Sequence, residues 1–156
     1  MGTPNFCTDL RFFGSPPVPG ALFEFVAHPV HLVYPLPVST PFPVWAVIEP
    51  LGVAIHAVDL GHLVLGDRAA VFGCGPIGLL IARVARLAGA ARVLGTEPLV
   101  HRRKAADRFG VDVALDPSTE DARVRMPTHS PLRLKFGLVA CRPAFLNALD
   151  FFAAAR

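Results

Sequence analysis

The residues whose chemistry is easiest to read form one short run, Gly73-Cys74-Gly75-Pro76-Ile77-Gly78. Glycines at this spacing leave the backbone bare, so its N–H groups can approach an anion that side chains would hold away. In such a turn Gly73 permits the tight reversal, Gly75 leaves room for a pyrophosphate, and Gly78 lets a helix pack closely on a strand. The spacing alone is a weak signal, and its context gives it weight. The apolar run Arg68–Phe72 leads into it, an amphipathic run leaves it, and Glu97 stands 19 residues beyond Gly78. A carboxylate there would accept hydrogen bonds from both hydroxyls of an adenosine ribose and would repel a 2′-phosphate. The pattern therefore points to a dinucleotide, NAD in preference to NADP. Arg102, Arg103 and Lys104 follow closely and could serve a 2′-phosphate if Glu97 turned away. The plainer reading of that basic run is a solvated helix face.

These residues need elements to hold them. Arg68–Phe72 reads as a short buried strand. Ile77, Leu80, Ile81, Val84, Leu87 and Ala88 then mark one face of a helix that Gly89 stops, with Arg83 and Arg86 on the opposite face. Arg92–Thr96 reads as a second strand, Val100–Phe109 as a charged helix closed by Gly110, and Val111–Leu115 as a third strand. Strands alternating with helices imply an α/β fold with a parallel sheet and right-handed crossovers. Upstream, Val47, Ile48, Leu51, Ala54, Ile55 and Val58 give a helical stripe within 44–60, with Pro50 near its first turn or at a kink. The first 43 residues are crowded with prolines, which excludes long helices; Ala21–Ala27 and His31–Tyr34 read there as short strands. After Asp116 comes a polar, proline-containing loop to Pro131. Residues 132–140 then read as a strand and 143–155 as a helix.

Composition narrows the partners. Residues of the hydrophobic type make up 53% of the 156-residue chain, which implies a well-filled core together with surface meant for association, a second copy or a complementing chain. A membrane span needs about 20 mostly apolar residues. Thr40–Val58 and Ala69–Ala91 approach that, but Glu49-Pro50 interrupts the first, and glycines, Pro76, Arg83 and Arg86 interrupt the second. Both read as core, and no membrane partner is expected. The chain opens without a basic region followed by an apolar run, so no secretory signal is read, and Phe6 stands where a myristoylation signal needs Ser or Thr. The cysteines Cys7, Cys74 and Cys141 are odd in number and widely spaced, which suits a reducing cytoplasm better than a disulfide framework or a metal knuckle. A net charge of +3 is mild, and no aromatic residues interleave with the basic ones, so nucleic acid is not expected.

Three segments together carry a resemblance: Arg11-Phe-Phe-Gly-Ser-Pro-Pro17, Glu49-Pro-Leu-Gly-Val-Ala-Ile-His-Ala57, and Ala70-Val-Phe-Gly-Cys-Gly-Pro-Ile-Gly-Leu79. In order and spacing they resemble the medium-chain, zinc-dependent alcohol dehydrogenases, in the branch of sorbitol and other polyol dehydrogenases. The resemblance implies an incomplete Rossmann-type sheet preceded by a remnant of a GroES-like β domain. The remnant would occupy 1–43, a connecting helix 44–60, the dinucleotide-binding βαβαβ unit 61–122 and a divergent tail 123–156. It implies hydride transfer between a small secondary alcohol or polyol and NAD, with zinc as Lewis acid. Glu49 maps onto a ligand or near-ligand of that zinc, Ile77 onto a cofactor contact, and Arg102 onto a position beside the adenosine. The family's catalytic cysteine and His-Glu pair have no counterpart in residues 1–48. Cys7 would be the last of four structural-zinc cysteines and lacks its companions; His28 and His31 have no matching partners. The expectation is a truncated dehydrogenase chain, inactive alone, with zinc binding in doubt; the alternative is a noncatalytic nucleotide-binding module.

Overall fold

The computed structural model describes residues 8–121 and the backbone of 136–137. The chain divides into two compact units, Met1–Ser39 and Thr40–Arg156. The predicted strands Ala21–Ala27 and His31–Tyr34 are absent from the first. Its described residues form turns and one 3-10 helix, Val30–Leu32. Local bonds close these turns: Gly14 N–H donates to Pro19 O at 3.1 Å, Val18 N–H to Ser15 O at 2.8 Å, and Leu32 N–H to Pro29 O at 2.9 Å. Two causes defeat the strand reading. Prolines at 19, 29, 35 and 37 bound both runs and keep them short, and a strand needs a neighbour to satisfy its backbone groups. The apolar side chains are left open, with Leu22 fully exposed at 102% and Phe25 at 86%.

The second unit is α/β. Helix α1 (Phe42–Leu60) is followed by strand β1 (Arg68–Phe72), helix α2 (Pro76–Leu87), strand β2 (Arg92–Thr96), helix α3 (Val100–Ala106), a 3-10 turn at Asp107–Phe109, and strands β3 (Val113–Leu115) and β4 (Phe136–Gly137). The sheet order is β3-β2-β1-β4, and every pairing is parallel. Of the strand and helix predicted beyond 131, only Phe136–Gly137 lies within the described residues, and it is an edge strand beside β1.

Helix α1 departs from the expected break. It runs unbroken through Glu49-Pro50, and Pro50 sits in its interior, well past the first turn. A proline removes one backbone donor and crowds the carbonyl four residues before it, yet the helix continues past it into the residues that pack on the core, Ala54, Ala57 and Val58. By length and composition alone α1 could cross a membrane, with a mean hydropathy of 1.3, a test that the core helix of a soluble protein also passes. Ala54 is buried in the core, Ala57 and Val58 pack against that core, and Val47, Ile48 and Ile55 of the predicted stripe are exposed.

Helix α2 lays its predicted face on the core at Ile77, Leu80, Ile81 and Val84 and departs from it in the last turn, at Leu87 and Ala88. The residues it buries are Gly78, Ile81, Ala82 and Ala85, while Leu87, predicted as core, is 74% exposed. Small side chains allow the axis to approach the sheet, and the larger Ile77, Leu80 and Val84 are partly buried, packed against the core. Arg86, expected on the outer face, turns inward. Its guanidinium donates to Gly110 O (2.8 Å), Ala90 O and Ala91 O (both 3.1 Å), and pairs with Asp112. Asp112 in turn accepts the Val93 N–H at 2.7 Å. One cation thereby satisfies the turn between α2 and β2 and the entry to β3.

Candidate functional site

The C-terminal ends of β1 and β2 lie side by side, because Phe72 is paired with Thr96. The ladder extends one residue further, where Gly73 N–H donates to Thr96 O at 2.8 Å. There Gly73 adopts φ +92°, the left-handed region that glycine enters without cost. The reversal delivers the chain to Gly75, the N-cap of α2. A Cβ on Gly78 would overlap Gly73 O, so helix and turn could not approach as closely with any other residue there. A Cβ on Gly75 would meet only the Arg102 guanidinium, 3.8 Å away, and its absence leaves backbone bare at that point. The first intrahelical bond is Leu79 N–H to Gly75 O, at 2.9 Å. Ile77 and Gly78 therefore precede it, with N–H groups at the positive end of the helix dipole.

Glu97 follows β2 directly, and its side chain is only 4% exposed. One carboxylate oxygen accepts the Cys74 N–H and the other the Leu99 N–H, both at 3.1 Å. Arg102 Nη1 lies 3.9 Å from Glu97 Oε2 and is half open to solvent. The neighbouring basic residues divide in role. Arg103 is turned inward, donating to Glu97 O and Pro98 O at 2.6 Å each and pairing with Asp116 at 3.0 Å, whereas Lys104 is exposed. The structure thus brings together Gly73, Gly75, Gly78, Glu97 and Arg102, with Ile77 half-buried in the first turn of α2. Glu49 stands apart on the exposed surface of α1. His28 stacks at a tilt on Phe13, with ring centroids 4.8 Å apart. Cys7 lies outside the described residues.

Cys74 had no assigned part in the sequence reading. Burial first, and the Glu97 charge second, push its thiol up to about 11. Its Sγ fills the space over Gly95, where a Cβ would come within 2.6 Å of it. This is a packing thiol, since reactivity needs an accessible thiolate. The signal that could have found it is the apolar strand before it and the small residue Gly95 on the neighbouring strand.

The fit to the two implied groups differs. Bare backbone at Gly75, the close approach at Gly78 and the free first turn of α2 suit a phosphate-bearing nucleotide. Zinc needs three or four converging donors, and no group of three His, Cys, Asp or Glu residues is assembled among the described residues.

Known proteins are similar to this chain in sequence and in fold. No family model matches the chain. It is 35% identical to the sorbitol dehydrogenase of Pongo abelii over 143 residues, which cover 92% of this chain and 38% of that protein. It is 41% identical to the D-xylulose reductase of Saccharomyces cerevisiae over 109 residues, 70% of this chain and 31% of that one. Among solved structures, L-idonate 5-dehydrogenase from Escherichia coli superposes with a TM-score of 0.82 at 29% identity, over 94% of this chain and 43% of that one. A Sinorhizobium meliloti protein described as a zinc-binding dehydrogenase, solved with NADP, gives 0.74 at 32% identity, over 80% and 36%. A short chain alcohol dehydrogenase from Escherichia coli CFT073, solved with NADH, gives 0.68 at 28% identity, over 74% and 34%. The chain spans about a third of the length of the relatives it matches. The polyol-type relatives, the parallel α/β unit and the glycine turn agree with one another, and this chain belongs to the medium-chain zinc alcohol and sorbitol dehydrogenase family.

Proposed function

We propose that this chain binds NAD at the turn Gly73–Gly78, in a Rossmann-type unit that serves hydride transfer between a secondary alcohol or polyol and the nicotinamide. The observation that carries this is the free first turn of α2, reached through bare backbone at Gly75 and flanked by the buried carboxylate of Glu97. In this reading the N–H groups of Ile77 and Gly78 hold the pyrophosphate, and Arg102 lies along the adenosine. NAD supplies the hydride acceptor when bound. The Glu97 charge supports NAD over NADP by opposing a 2′-phosphate, and the inward turn of Arg103 removes one cation that could have offset it. Among relatives both cofactors occur. Glu49 remains the candidate metal residue on motif alone, and the segment 1–43 corresponds to the GroES-like part on the motif Arg11–Pro17 alone. No catalytic step is assigned to zinc here, because the described residues do not gather its donors. The cytoplasm, and association with a second copy or a complementing chain, complete the proposal.

Calorimetric titration of the purified chain with NAD and NADP tests it. Binding of NAD, tighter than NADP, is expected, and no NAD binding below millimolar concentration overturns the proposal. The second reading is a nucleotide-binding module without turnover, for which the glycine turn alone suffices. Oxidation of sorbitol or xylitol monitored at the NADH absorbance separates the two readings.

A further inference from the structure

Two carboxylate residues stand side by side at one end of the sheet. Thr96 is paired with Leu115, so Glu97 and Asp116 are each the first residue beyond neighbouring parallel strands. Arg103 of α3 joins them. Its Nη1 donates to Glu97 O and Pro98 O at 2.6 Å each and lies 3.0 Å from Asp116 Oδ2. Asp116 is oriented to receive it. The N–H and the hydroxyl of Ser118 both donate to Oδ1, at 3.0 and 2.5 Å, which leaves Oδ2 for the guanidinium. These Ser118 bonds, and the Arg103 charge after them, hold the Asp116 carboxyl below the ordinary carboxylate range, so it is ionised at neutral pH. Only 20% of the Arg103 side chain and 19% of the Asp116 side chain reach solvent, and charges withdrawn from water attract each other more strongly than exposed ones.

A 2′-phosphate would bring added negative charge to the ribose beside Glu97, and its binding needs a cation to offset that charge. Of the three consecutive basic residues on α3, Arg102 faces the Glu97 carboxylate at 3.9 Å, Lys104 is exposed, and Arg103 is drawn toward the end of β3. We propose that Asp116 is a positioning residue for cofactor choice: by holding Arg103 inward it withholds the cation that a 2′-phosphate requires. The proposal rests on the nucleotide-binding reading of the glycine turn and leaves Glu97 as the ribose acceptor. It adds a second determinant of the preference for NAD, at the end of β3, which acts through a residue of α3.

The test measures NAD and NADP binding to the full chain by calorimetric titration in wild type, Asp116→Asn, Arg103→Met and the double variant. The readout is the ratio of the two affinities. The ligands differ only in the 2′-phosphate, so a loss of fold or stability acts on both alike. Asp116→Asn keeps the side-chain shape and removes the charge that holds Arg103. With Arg103 present it should move the ratio toward NADP by about fivefold, the scale of one partly exposed ion pair. In the Arg103→Met background the same substitution should move it by less than about twofold, because the cation to be released is gone. Asp116→Ser, which removes the acceptor outright, is read in the same way. A shift below twofold with Arg103 present, or shifts of equal size in the two backgrounds, overturns the proposal; the second result would mean that Asp116 acts by its own charge. If wild type binds neither nucleotide, the nucleotide-binding reading fails and this proposal with it, an outcome distinct from binding with an unmoved ratio.

Discussion

The stretch from Arg68 to Glu97 and the stretch from Leu10 to Val38 are both rich in apolar residues, yet they end in opposite conditions. In the first, Val71 and Val93 are fully enclosed and even the carboxylate of Glu97 is withdrawn from water. In the second, Phe12, Phe23, Val30 and Tyr34 stand largely in solvent. The hydrophobic effect rewards area removed from water, not composition. The β1–α2–β2 stretch has a period-matched helix face to lay on a sheet, and the Pro-rich stretch has neither an uninterrupted helix nor a paired strand. Order here follows from the ability to make faces, and the same side chains without faces stay exposed.

Four changes would break or sharpen that contrast. The largest effect is expected at Gly78→Val, where side-chain atoms would be driven into Gly73 O and toward Val71; a loss of about 3 kcal/mol or more in urea unfolding is expected. A mild result would mean that α2 does not lie as close to β1 as described. Next, alkaline unfolding should report Cys74. Its folded thiol titrates at about 11 against the ordinary 9.0. The folded state thus holds its proton more tightly than the unfolded chain. Its contribution is complete below pH 9 and is lost as pH rises toward 11, by roughly 1.4 kcal/mol per unit of difference. Cys74→Ala should flatten that decline, and an identical pH profile would contradict the enclosure of the turn. A smaller gain is expected at His62, which adopts φ +47° just beyond α1. His62→Gly removes that strain and should raise stability by about 0.5–1 kcal/mol, measured as a shift in thermal midpoint. The smallest effect belongs to Leu22→Ser, within about 0.5 kcal/mol of wild type, because that side chain loses no burial. A large loss there would erase the contrast between the two stretches.

What could be read from the residues follows the same physics. Strand β1 was legible to the residue, since Arg68–Phe72 is a short apolar run bounded by Asp67 and a glycine turn. The third strand was placed two residues early; Val111 is buried, but the ladder begins only at Val113. Helix α3 was read to Phe109, and its last residues tighten into a 3-10 turn before Gly110 at φ +87°. The face of α2 was legible at Ile77, Leu80, Ile81 and Val84 and misjudged at Leu87, because hydrophobicity ranks leucine above alanine, while close approach to a sheet selects the smaller residue at the point of contact. Arg86 was misjudged for a related reason. Sequence periodicity does not reveal that four acceptors converge on one side of the helix end. The glycine turn and Glu97 were legible from spacing and element order. The bonds that Glu97 makes were not, since they depend on the Gly73 reversal aiming one amide back across the sheet.

The inward turn of Arg86 has a consequence for how this unit opens. Its guanidinium joins the carbonyls of Ala90 and Ala91, in the turn between α2 and β2, to Gly110 and Asp112, which lead into β3, and Asp112 is bonded to the first buried residue of β2. An edge strand of three residues would ordinarily fray independently of the helix on the far side of the crossover. Here its departure would leave the Arg86 guanidinium without Gly110 and Asp112, so the entry to the edge strand and the turn after α2 share one set of bonds.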